Sequence, residues 1–254
     1  MGERESYAPG TFCWVDLGTT DAGGAKAFYG RLFGWESEDM PAGEGSTYTM
    51  LRLGGRDVAA LYEQGADERA AGIPPHWSSY VSVENADEVA GRVEGLGGKL
   101  LAPPFDVLDS GRMAVLQDPT GAMLSLWQPG RHIGARLVND PGCVTWNDLA
   151  TPDPDAAAAF YTGLLGWDVQ QQAPGYATIA NAGAPNGGIR RETELPPHWL
   201  PYFTTESVTQ TAAEASDAGG QVLVADLRVP AGTVGVFLDP QGAPFAVFEG
   251  EVDD

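Results

Sequence analysis

An internal repeat constrains what this chain can fold into more than any other feature of its sequence. Trp14 and Trp146 begin the same pattern 132 residues apart (146 − 14). The motif Pro-Pro-His-Trp ends at Trp77 and again at Trp199, only 122 residues later (199 − 77), so the second copy lacks about ten residues of a loop. Other landmarks recur in the same order: Phe28-Tyr29 with Phe160-Tyr161, Gly97-Gly98 with Gly219-Gly220, and Asp118-Pro119 with Asp239-Pro240. Order, spacing and residue type together indicate a tandem duplication.

Each copy shows the same order of strands and helices twice. Alternating apolar positions over 11–18 predict a strand, and the segment after Asp21 predicts a helix that ends at Gly34, with further strand patterns behind it. The pattern restarts after Trp77. Four β-α-β-β-β units are therefore predicted, at 11–63, 77–128, 143–190 and 199–248. Outside these strands we expect a loose arm over 1–9, a loop over 64–75 and a single helix over 86–96.

The fold class predicted from this order is α+β, with the sheets inside and the helices outside. One β-α-β-β-β unit leaves a sheet face uncovered, whereas two units side by side form a half-open barrel around a cleft. We therefore predict two such modules, residues 1–130 and 142–254. The joining segment, 131–141, is compact rather than rich in glycine and serine, and we expect it to pack against both modules.

Charge and hydropathy exclude several classes of partner. The formal net charge is −21 at pH 7, which repels nucleic-acid backbones and anionic membranes. No run approaches the roughly 18 apolar residues of a membrane span, and the polar N-terminus shows no signal segment. We therefore expect a cytoplasmic protein, either a monomer that is itself a pseudo-dimer or a homodimer, with a small organic ligand as its partner.

Taken together, these motifs resemble the vicinal-oxygen-chelate superfamily, which includes glyoxalase I, extradiol dioxygenases and bleomycin-resistance proteins. The resemblance rests on the four units, on helices bearing Phe-Tyr and then Leu-Gly-Trp, and on Asp-Pro-x-Gly before the last strand. It covers 11–128 and 143–248. The Arg-His-Ile-Gly-Ala linker and the Pro-Pro-His-Trp motifs look like two-module members labelled glyoxalase-like or hydroxylase. The resemblance implies two tandem modules, each with a cleft between paired units.

The resemblance also implies a divalent metal held by His, Gln or Glu on cleft-facing strands, and this chain lacks those ligands. The matching positions hold Trp14, Ser78 and Ser125 in the first copy and Trp146, Leu200 and Ala246 in the second. Tryptophan, leucine and alanine side chains do not bind such cations. We therefore predict no metal and no cofactor. This disfavours glyoxalase I and ring-cleaving chemistry, because both need the metal to polarise vicinal oxygens.

The candidate catalytic groups are Asp16 and Tyr80 on the predicted cleft face of the first module. By strand parity Asp16 faces the same side as Trp14, and Tyr80 lies two residues beyond Ser78 on that face. A carboxylate beside an indole is poorly solvated, which raises its pKa and suits a general base or acid. The alternative, an aspartate bonded to a backbone amide or a helix N-terminus, stays open. Tyr80 is either a donor to a substrate oxygen or a core residue.

The other predicted cleft residues form an apolar and aromatic wall that suits a flat organic ligand. Arg112 has no basic counterpart in the second copy and makes the first cleft the more polar of the two. Besides Trp14, Ser78 and Ser125, the predicted substrate-binding residues are Tyr48, Arg112 and Trp127 in the first module and Trp146, Asp148, Tyr176, Leu200, Tyr202, Ala246 and Phe248 in the second.

The three histidines leave more than one role open. His76 and His198 occupy equivalent positions after Pro-Pro, as acid–base groups or, the interpretation we favour, as structural histidines bonded to loop backbone. His132 lies in the linker, where we expect a hydrogen bond between the modules.

Two functions fit these residues. The favoured one is a metal-independent enzyme of secondary metabolism that uses Asp16 and Tyr80 on an aromatic or polyketide-like metabolite. The alternative is a non-catalytic protein that sequesters a drug or metabolite, for which apolar clefts suffice. Catalysis requires the carboxylate and the phenol within reach of one reacting atom, so the relative position of these two side chains bears on the choice.

Overall fold

The strands of the first copy form one eight-stranded sheet. In this computed structural model, which describes residues 2–43 and 45–252, the strands are β1 (Phe12–Thr19), β2 (Glu36–Pro41), β3 (Thr47–Leu53), β4 (Arg56–Glu63), β5 (His76–Ser82), β6 (Lys99–Val107), β7 (Gly111–Gln117) and β8 (Met123–Pro129). Their order across the sheet is β2-β3-β4-β1-β5-β8-β7-β6. The sheet ends at β2 and β6 and is therefore open, which agrees with the predicted half-open barrel.

The second copy repeats this sheet strand for strand. Its strands are β9 (Val144–Thr151), β10 (Asp168–Ala173), β11 (Tyr176–Asn181), β12 (Ala184–Arg191), β13 (His198–Thr204), β14 (Gln221–Val229), β15 (Gly232–Leu238) and β16 (Pro244–Gly250). Their order is β10-β11-β12-β9-β13-β16-β15-β14, which is the first order shifted by eight strands. The matching orders confirm a tandem α+β fold of two sheet modules.

The helices begin and end at the residues that the sequence marks. They are α1 (Ala22–Phe33), α2 (Ala66–Ala70), α3 (Ala86–Ala90), α4 (Pro154–Leu165) and α5 (Val208–Asp217). Asp21 caps α1 by accepting a hydrogen bond from the Gly24 amide at 2.9 Å, and Gly34 ends it with a φ of 72° that favours glycine. Asp153 and Gly166 do the same for α4. None of the helices in the described ranges combines the length and apolar character needed to cross a membrane.

Three local predictions were wrong. The helix expected over 86–96 is broken, because α3 ends at Ala90 and only a 3-10 turn follows at Glu94–Leu96. Gly91 stands at the break, and glycine weakens a helix. The loop expected over 64–75 contains α2, where Glu68 accepts a hydrogen bond from the Gly65 amide at 2.8 Å. The arm expected to be loose is held to the linker, since the Tyr7 hydroxyl donates to the Ala135 carbonyl at 2.7 Å.

The central strands of each sheet join its two units. β1 lies parallel to β4 of its own unit and antiparallel to β5 of the next, and β9 pairs in the same way with β12 and β13. β5 and β13 in turn lie parallel to β8 and β16. Because these strands lie at the middle of the sheet, nearly all their side chains are buried. The predicted catalytic residues lie on these strands.

The hydrophobic cores do not follow the repeat. The largest core joins the first unit to the fourth, with Phe28 of α1 packed on Phe245 of β16 at a ring-centroid distance of 6.0 Å. A second core joins the second unit to the third, with Leu124 and Leu126 of β8 in the same cluster as Phe160 of α4. Each module therefore completes the core of the other, which favours folding as one cooperative body.

Two equivalent hydrogen-bond chains cross between the modules. The indole Nε1 of Trp77 donates to the Tyr29 hydroxyl, which donates to Asp239 Oδ2, each at 3.1 Å. The matching chain runs from Trp199 through Tyr161 to Asp118, again at 3.1 Å for each step. Both aspartates belong to the Asp-Pro-x-Gly turns, so these turns anchor a helix of the opposite module.

The segment between the modules contacts both of them. The Ala135 amide donates to the Cys13 carbonyl at 2.8 Å in the first module, and the Asn139 amide donates to the Val144 carbonyl at 3.0 Å in the second. Just after the linker, the Gly142 carbonyl of the second module accepts from Trp35 Nε1 of the first at 2.8 Å. The compact linker predicted from the sequence therefore packs against both modules.

Candidate functional site

Strand pairing gathers the predicted catalytic residues on one face of the first sheet. β1 and β5 are antiparallel, with Trp14 opposite Tyr80 and Asp16 opposite Ser78. In β8, Ser125 lies opposite Tyr80. Directly opposed residues in paired strands share a sheet face, so these five side chains lie on the same face, as strand parity predicted.

Two phenols hold one oxygen of the Asp16 carboxylate. Asp16 is 2% exposed. Its Oδ2 accepts a hydrogen bond from the Tyr80 hydroxyl at 2.7 Å and another from the Tyr48 hydroxyl at 3.0 Å. The Trp14 indole does not reach the carboxylate and donates to the Tyr48 hydroxyl at 3.0 Å. The carboxylate of Asp16 is thus bonded by side chains, not by a helix N-terminus or backbone amide.

The other oxygen, Asp16 Oδ1, is buried and has no hydrogen-bond partner among the described residues. A buried acceptor without a donor costs free energy, on the order of 1–3 kcal/mol and more when charged. Native proteins contain few such atoms, and each has a cause such as a catalytic role, local strain or a bound water or ion. Oδ1 therefore has the capacity to accept a hydrogen bond from a further donor.

The equivalent carboxylate in the second module is complete. Asp148 is 4% exposed and accepts from the Tyr202 hydroxyl at Oδ2, 2.8 Å away. Its Oδ1 accepts from the Trp146 indole at 2.9 Å and from the Tyr176 hydroxyl at 3.2 Å. Arg190 on β12 adds a favourable charge close to Asp148. Both oxygens are satisfied, so the protein itself supplies every donor that this carboxylate needs.

Burial raises the pKa of both aspartates above the ordinary value of 3.8. At Asp16 the hydrogen bonds from Tyr80 and Tyr48 oppose this rise, with smaller contributions from the His76 charge and the Ser78 hydroxyl. Burial and the nearby carboxylate also raise the pKa of both tyrosines well above 10, so the two phenols keep their protons and remain donors. Tyr80 uses its hydroxyl as a hydrogen-bond donor to Asp16 and thereby orients this carboxylate.

His132 packs on the first site instead of bridging the modules. Its ring meets the Trp14 ring edge-on at a centroid distance of 4.5 Å, and Trp127 Nε1 donates to its backbone carbonyl at 2.8 Å. The imidazole Nε2 is buried and has no partner among the described residues, and burial lowers its pKa. A neutral imidazole therefore adjoins the indole wall, and the hydrogen bond expected between the modules is absent at this nitrogen.

The remaining predicted cleft residues divide between two clusters. In the first module Trp127 and Tyr80 belong to the large core, and Tyr48 packs against it partly buried. In the second module the predicted residues form a small cluster of their own: Leu200, Tyr202 and Ala246 are buried, with Trp146 and Phe248 packed against them. The predicted walls are therefore apolar and aromatic in both modules.

Arg112 does not belong to the site, which corrects the prediction from the sequence. In β7, Met113 pairs with Trp127 and so lies on the same sheet face. Arg112 is the adjacent residue on the strand, so its side chain lies on the opposite face. Its guanidinium forms ion pairs with Asp87 at 2.7 Å and Asp106 at 2.8 Å. Arg112 therefore lies on the helix-covered side of the sheet, away from Asp16.

His76 and His198 agree with the structural interpretation. Their Nδ1 atoms lie 2.9 Å and 2.8 Å from the carbonyls of Pro74 and Pro196, two residues earlier. Each histidine thus closes its Pro-Pro-His-Trp turn by a local hydrogen bond to the backbone.

The residues at the superfamily's metal positions do not fit a metal. Trp14 Nε1 is a donor that is already bonded to Tyr48, and the positions in the second module are an indole, a leucine and an alanine. No group of three or more His, Cys, Asp or Glu side chains within residues 2–43 and 45–252 is arranged to hold a metal ion. No chemical step is therefore assigned to a metal here.

Sequence reasoning missed three residues that shape these sites. Tyr62 pairs with Gly18 in the first module, and Arg190 pairs with Ala150, the residue equivalent to Gly18, in the second. Arg190 therefore occupies the position of Tyr62. The Tyr62 hydroxyl donates to Glu68 of α2 at 3.1 Å, so the longer loop of the first module contacts β4, the strand that pairs with β1 at Asp16. Aligning the fourth strand of each module at its own offset of 128 residues (190 − 62) reveals this exchange.

Family profiles match both modules. The profile described as "Glyoxalase/Bleomycin resistance protein/Dioxygenase superfamily" matches residues 11–126, and one described as "Glyoxalase-like domain" matches residues 144–248. These two ranges coincide with the two sheets.

Some relatives match the chain over nearly its whole length. CFP32 of Mycobacterium tuberculosis, which carries a provisional glyoxylase name, is 42% identical over 259 residues, with 98% of each chain covered. The anthracycline biosynthesis protein DauV of Streptomyces sp. strain C5 is 33% identical over 261 residues, covering 96% of this chain and 94% of that protein.

Solved structures share the fold at low identity. The 2,3-dioxygenase LapB from Pseudomonas sp. KL28 superposes with a TM-score of 0.68 at 14% identity, covering 98% of this chain and 96% of that one. The Mn(II)-bound glyoxalase from Novosphingobium aromaticivorans superposes with a TM-score of 0.67 at 18% identity, covering 96% and 84%. At these identities the likeness concerns the fold alone.

Proposed function

The chain belongs to the glyoxalase/bleomycin resistance protein/dioxygenase superfamily, also called the vicinal-oxygen-chelate superfamily, and we propose that it is an enzyme acting on a small organic molecule in the cleft of its first module. The observation that best supports this proposal is that Asp16 Oδ1, a buried carboxylate oxygen beside aromatic side chains, has no hydrogen-bond donor. A substrate O–H, N–H or acidic C–H supplies the missing donor.

The chemistry that this arrangement supports is proton abstraction by Asp16. Oδ2 is held by two phenols, so the carboxylate keeps one orientation and presents Oδ1. The substrate proton is transferred to Oδ1, and the substrate retains the electron pair. A pKa raised by burial makes Asp16 a stronger base than an exposed aspartate. Tyr80 and Tyr48 act by positioning this base.

The substrate class we propose is a flat aromatic or polyketide-like metabolite. Trp14, Trp127 and Tyr48 give the first cleft aromatic surfaces, which favour planar ligands. DauV is named for anthracycline biosynthesis, and its similarity over nearly the whole chain supports the same class for this protein. The net charge of −21 disfavours nucleic acid and anionic membranes as partners. We propose that the chain works in the cytoplasm, either as a monomer that is itself a pseudo-dimer or as a homodimer.

Sequestration without turnover is the second candidate, and the second cleft supports it. Asp148 has a donor for every oxygen and needs none from a ligand, while Leu200, Ala246 and Phe248 surround it with apolar side chains. Such a surface binds an apolar ligand without reacting with it. The two candidates differ in what the loss of the Asp16 charge does.

The test compares Asp16→Asn with the matched control Asp148→Asn. A hydroxylated anthraquinone serves as the binding probe, read by tryptophan fluorescence, and a ligand that co-purifies with the protein, identified by mass spectrometry, serves as the substrate. We expect Asp16→Asn to lower kcat about 10²–10⁴-fold with probe affinity within a few fold, because general-base catalysis contributes that factor. Asp148→Asn should change kcat by less than about tenfold.

Equal losses in both variants would contradict the assignment to the first module. Conversion of the ligand at an unchanged rate by Asp16→Asn would exclude Asp16 as the base. Probe binding by the wild-type chain with no conversion of the co-purified ligand would favour sequestration over catalysis.

A further inference from the structure

The difference between the two carboxylates coincides with one methyl group on the neighbouring strand. In the pairing of β1 with β4, Ala60 lies opposite Asp16, and in the pairing of β9 with β12, Gly188 lies opposite Asp148. Ala60 is fully buried, as is the backbone at Gly188. Each residue therefore faces its aspartate across a closely packed strand pair.

The second site depends on the absence of that methyl group. A Cβ atom placed on Gly188 falls on Asp148 Oδ1 and on the Tyr176 hydroxyl, and it comes within 2.8 Å of the Tyr176 ring carbon Cζ. Real Cβ atoms do not approach other atoms so closely. The arrangement in which Tyr176 and Trp146 both donate to Oδ1 therefore requires glycine at position 188.

The first site carries the methyl group and has the other arrangement. With the Ala60 Cβ in place, Asp16 and Tyr48 cannot take the positions seen at Asp148 and Tyr176. Tyr48 instead donates to Oδ2, and Trp14 donates to the Tyr48 hydroxyl. Oδ1 then has neither the indole nor the phenol as a donor.

We propose that Ala60 is the positioning residue that keeps Asp16 Oδ1 free for a substrate, and that Gly188 lets the second carboxylate close on its own donors. This proposal rests on the proposed function, in which Asp16 is the base. It assigns the reactivity of one module and the inertness of the other to a single pair of equivalent strand residues.

The test is Ala60→Gly, read by the carboxyl carbon and indole signals in NMR titrations of the whole chain. Without the methyl group, the Trp14 indole and Tyr48 reach Oδ1 and stabilise the ionised form. We expect the pKa of Asp16 to fall by about one unit. The Trp14 indole proton should shift towards the position of the Trp146 indole proton. The other titratable groups facing Asp16 are Tyr62 on β4 and His76 on β5, and their signals are followed in the same titration.

Two further variants separate positioning from a general loss of packing. Ala59→Gly removes a buried methyl group one residue earlier, on the other face of β4, and should leave the pKa of Asp16 unchanged. Gly188→Ala is the reciprocal change and should raise the pKa of Asp148, since the carboxylate loses donors at Oδ1. Where turnover is measured, the acid limb of the kcat/KM profile in Ala60→Gly should move down by the same amount as the pKa of Asp16.

An unchanged pKa of Asp16 and unchanged Trp14 signal in Ala60→Gly overturn the proposal, as does an equal shift in Ala59→Gly. If Ala60→Gly does not fold, an unchanged pKa of Asp148 in Gly188→Ala overturns it. The spectroscopic shifts need no substrate, so they appear even if the wild-type chain turns nothing over. Absence of turnover therefore counts against the proposed function alone.

Discussion

The two carboxylate sites have diverged on a frame that has stayed the same. Both modules keep an indole, an aspartate and one phenol at equivalent places on their central strands, and a second phenol on β3 or β11. In the first module one carboxylate oxygen lacks a donor, whereas in the second both are satisfied and an arginine stands nearby. The comparison teaches that the same residue types can distribute their hydrogen bonds differently over the two oxygens of a carboxylate.

The frame itself is nearly symmetric. Trp77, Tyr29 and Asp239 cross from the first module to the second, and an equivalent chain crosses back. Each module needs the other to complete its core, so both copies contribute to stability whatever the chemistry of their carboxylates. A duplicated fold of this kind leaves one site free to change while the shared core maintains the structure.

The largest expected effect tests the symmetry of the frame. Trp77→Ala and Trp199→Ala each remove a buried indole that donates to a buried phenol, and each should lower the free energy of unfolding by about 3–5 kcal/mol. Urea unfolding measures this, with the exposed Leu195→Ala as the control. Because the cores are shared, each variant should unfold in one transition. Two transitions, or a cost confined to one variant, would contradict a common frame.

A smaller effect tests the difference between the carboxylates. Asp148→Ala leaves three donors without an acceptor, whereas Asp16→Ala leaves two and removes an oxygen that had no donor. We expect Asp148→Ala to destabilise the protein more than Asp16→Ala, by about 1–2 kcal/mol. The same urea measurement applies. Equal costs would mean that Oδ1 of Asp16 has a donor in solution, such as an ordered water.

The smallest effect concerns pH. The folded-state pKa of Asp16 is raised above its unfolded value, so the folded state binds the proton more tightly. The stability from this proton is fully present below the unfolded pKa near 3.8 and is lost as the pH rises through the folded pKa. In Asp16→Asn, Tm should therefore fall less steeply than in the wild type as the pH rises from about 3.8 through the folded-state pKa of Asp16. A Tm profile parallel to that of the wild type would indicate that burial of Asp16 is compensated in the folded state.

Local structure was largely predictable from the sequence. The duplication, the strand order within each unit, the caps at Asp21 and Gly34, and the shared face of Trp14 and Asp16 all follow from short-range periodicity and turn residues. The prediction that Tyr80 lies with Asp16 also followed from parity, because register alternates side chains between two faces. Arg112 was misplaced because the prediction rested on its lack of a basic counterpart in the second copy and not on its parity relative to Trp127.

The sequence alone determined that the chain is two copies of one pair of βαβββ units. Strand and helix periodicity, and the capping and turn residues that end each element, are local properties of the chain. The sequence also determined which residues stand on the central strands. Only the tertiary structure decided which oxygen of Asp16 is free, that His132 packs on Trp14, and that each core is shared between modules. These outcomes depend on contacts between residues distant in sequence, where one methyl group, present at Ala60 and absent at Gly188, redirects hydrogen bonds that the residue types leave undetermined.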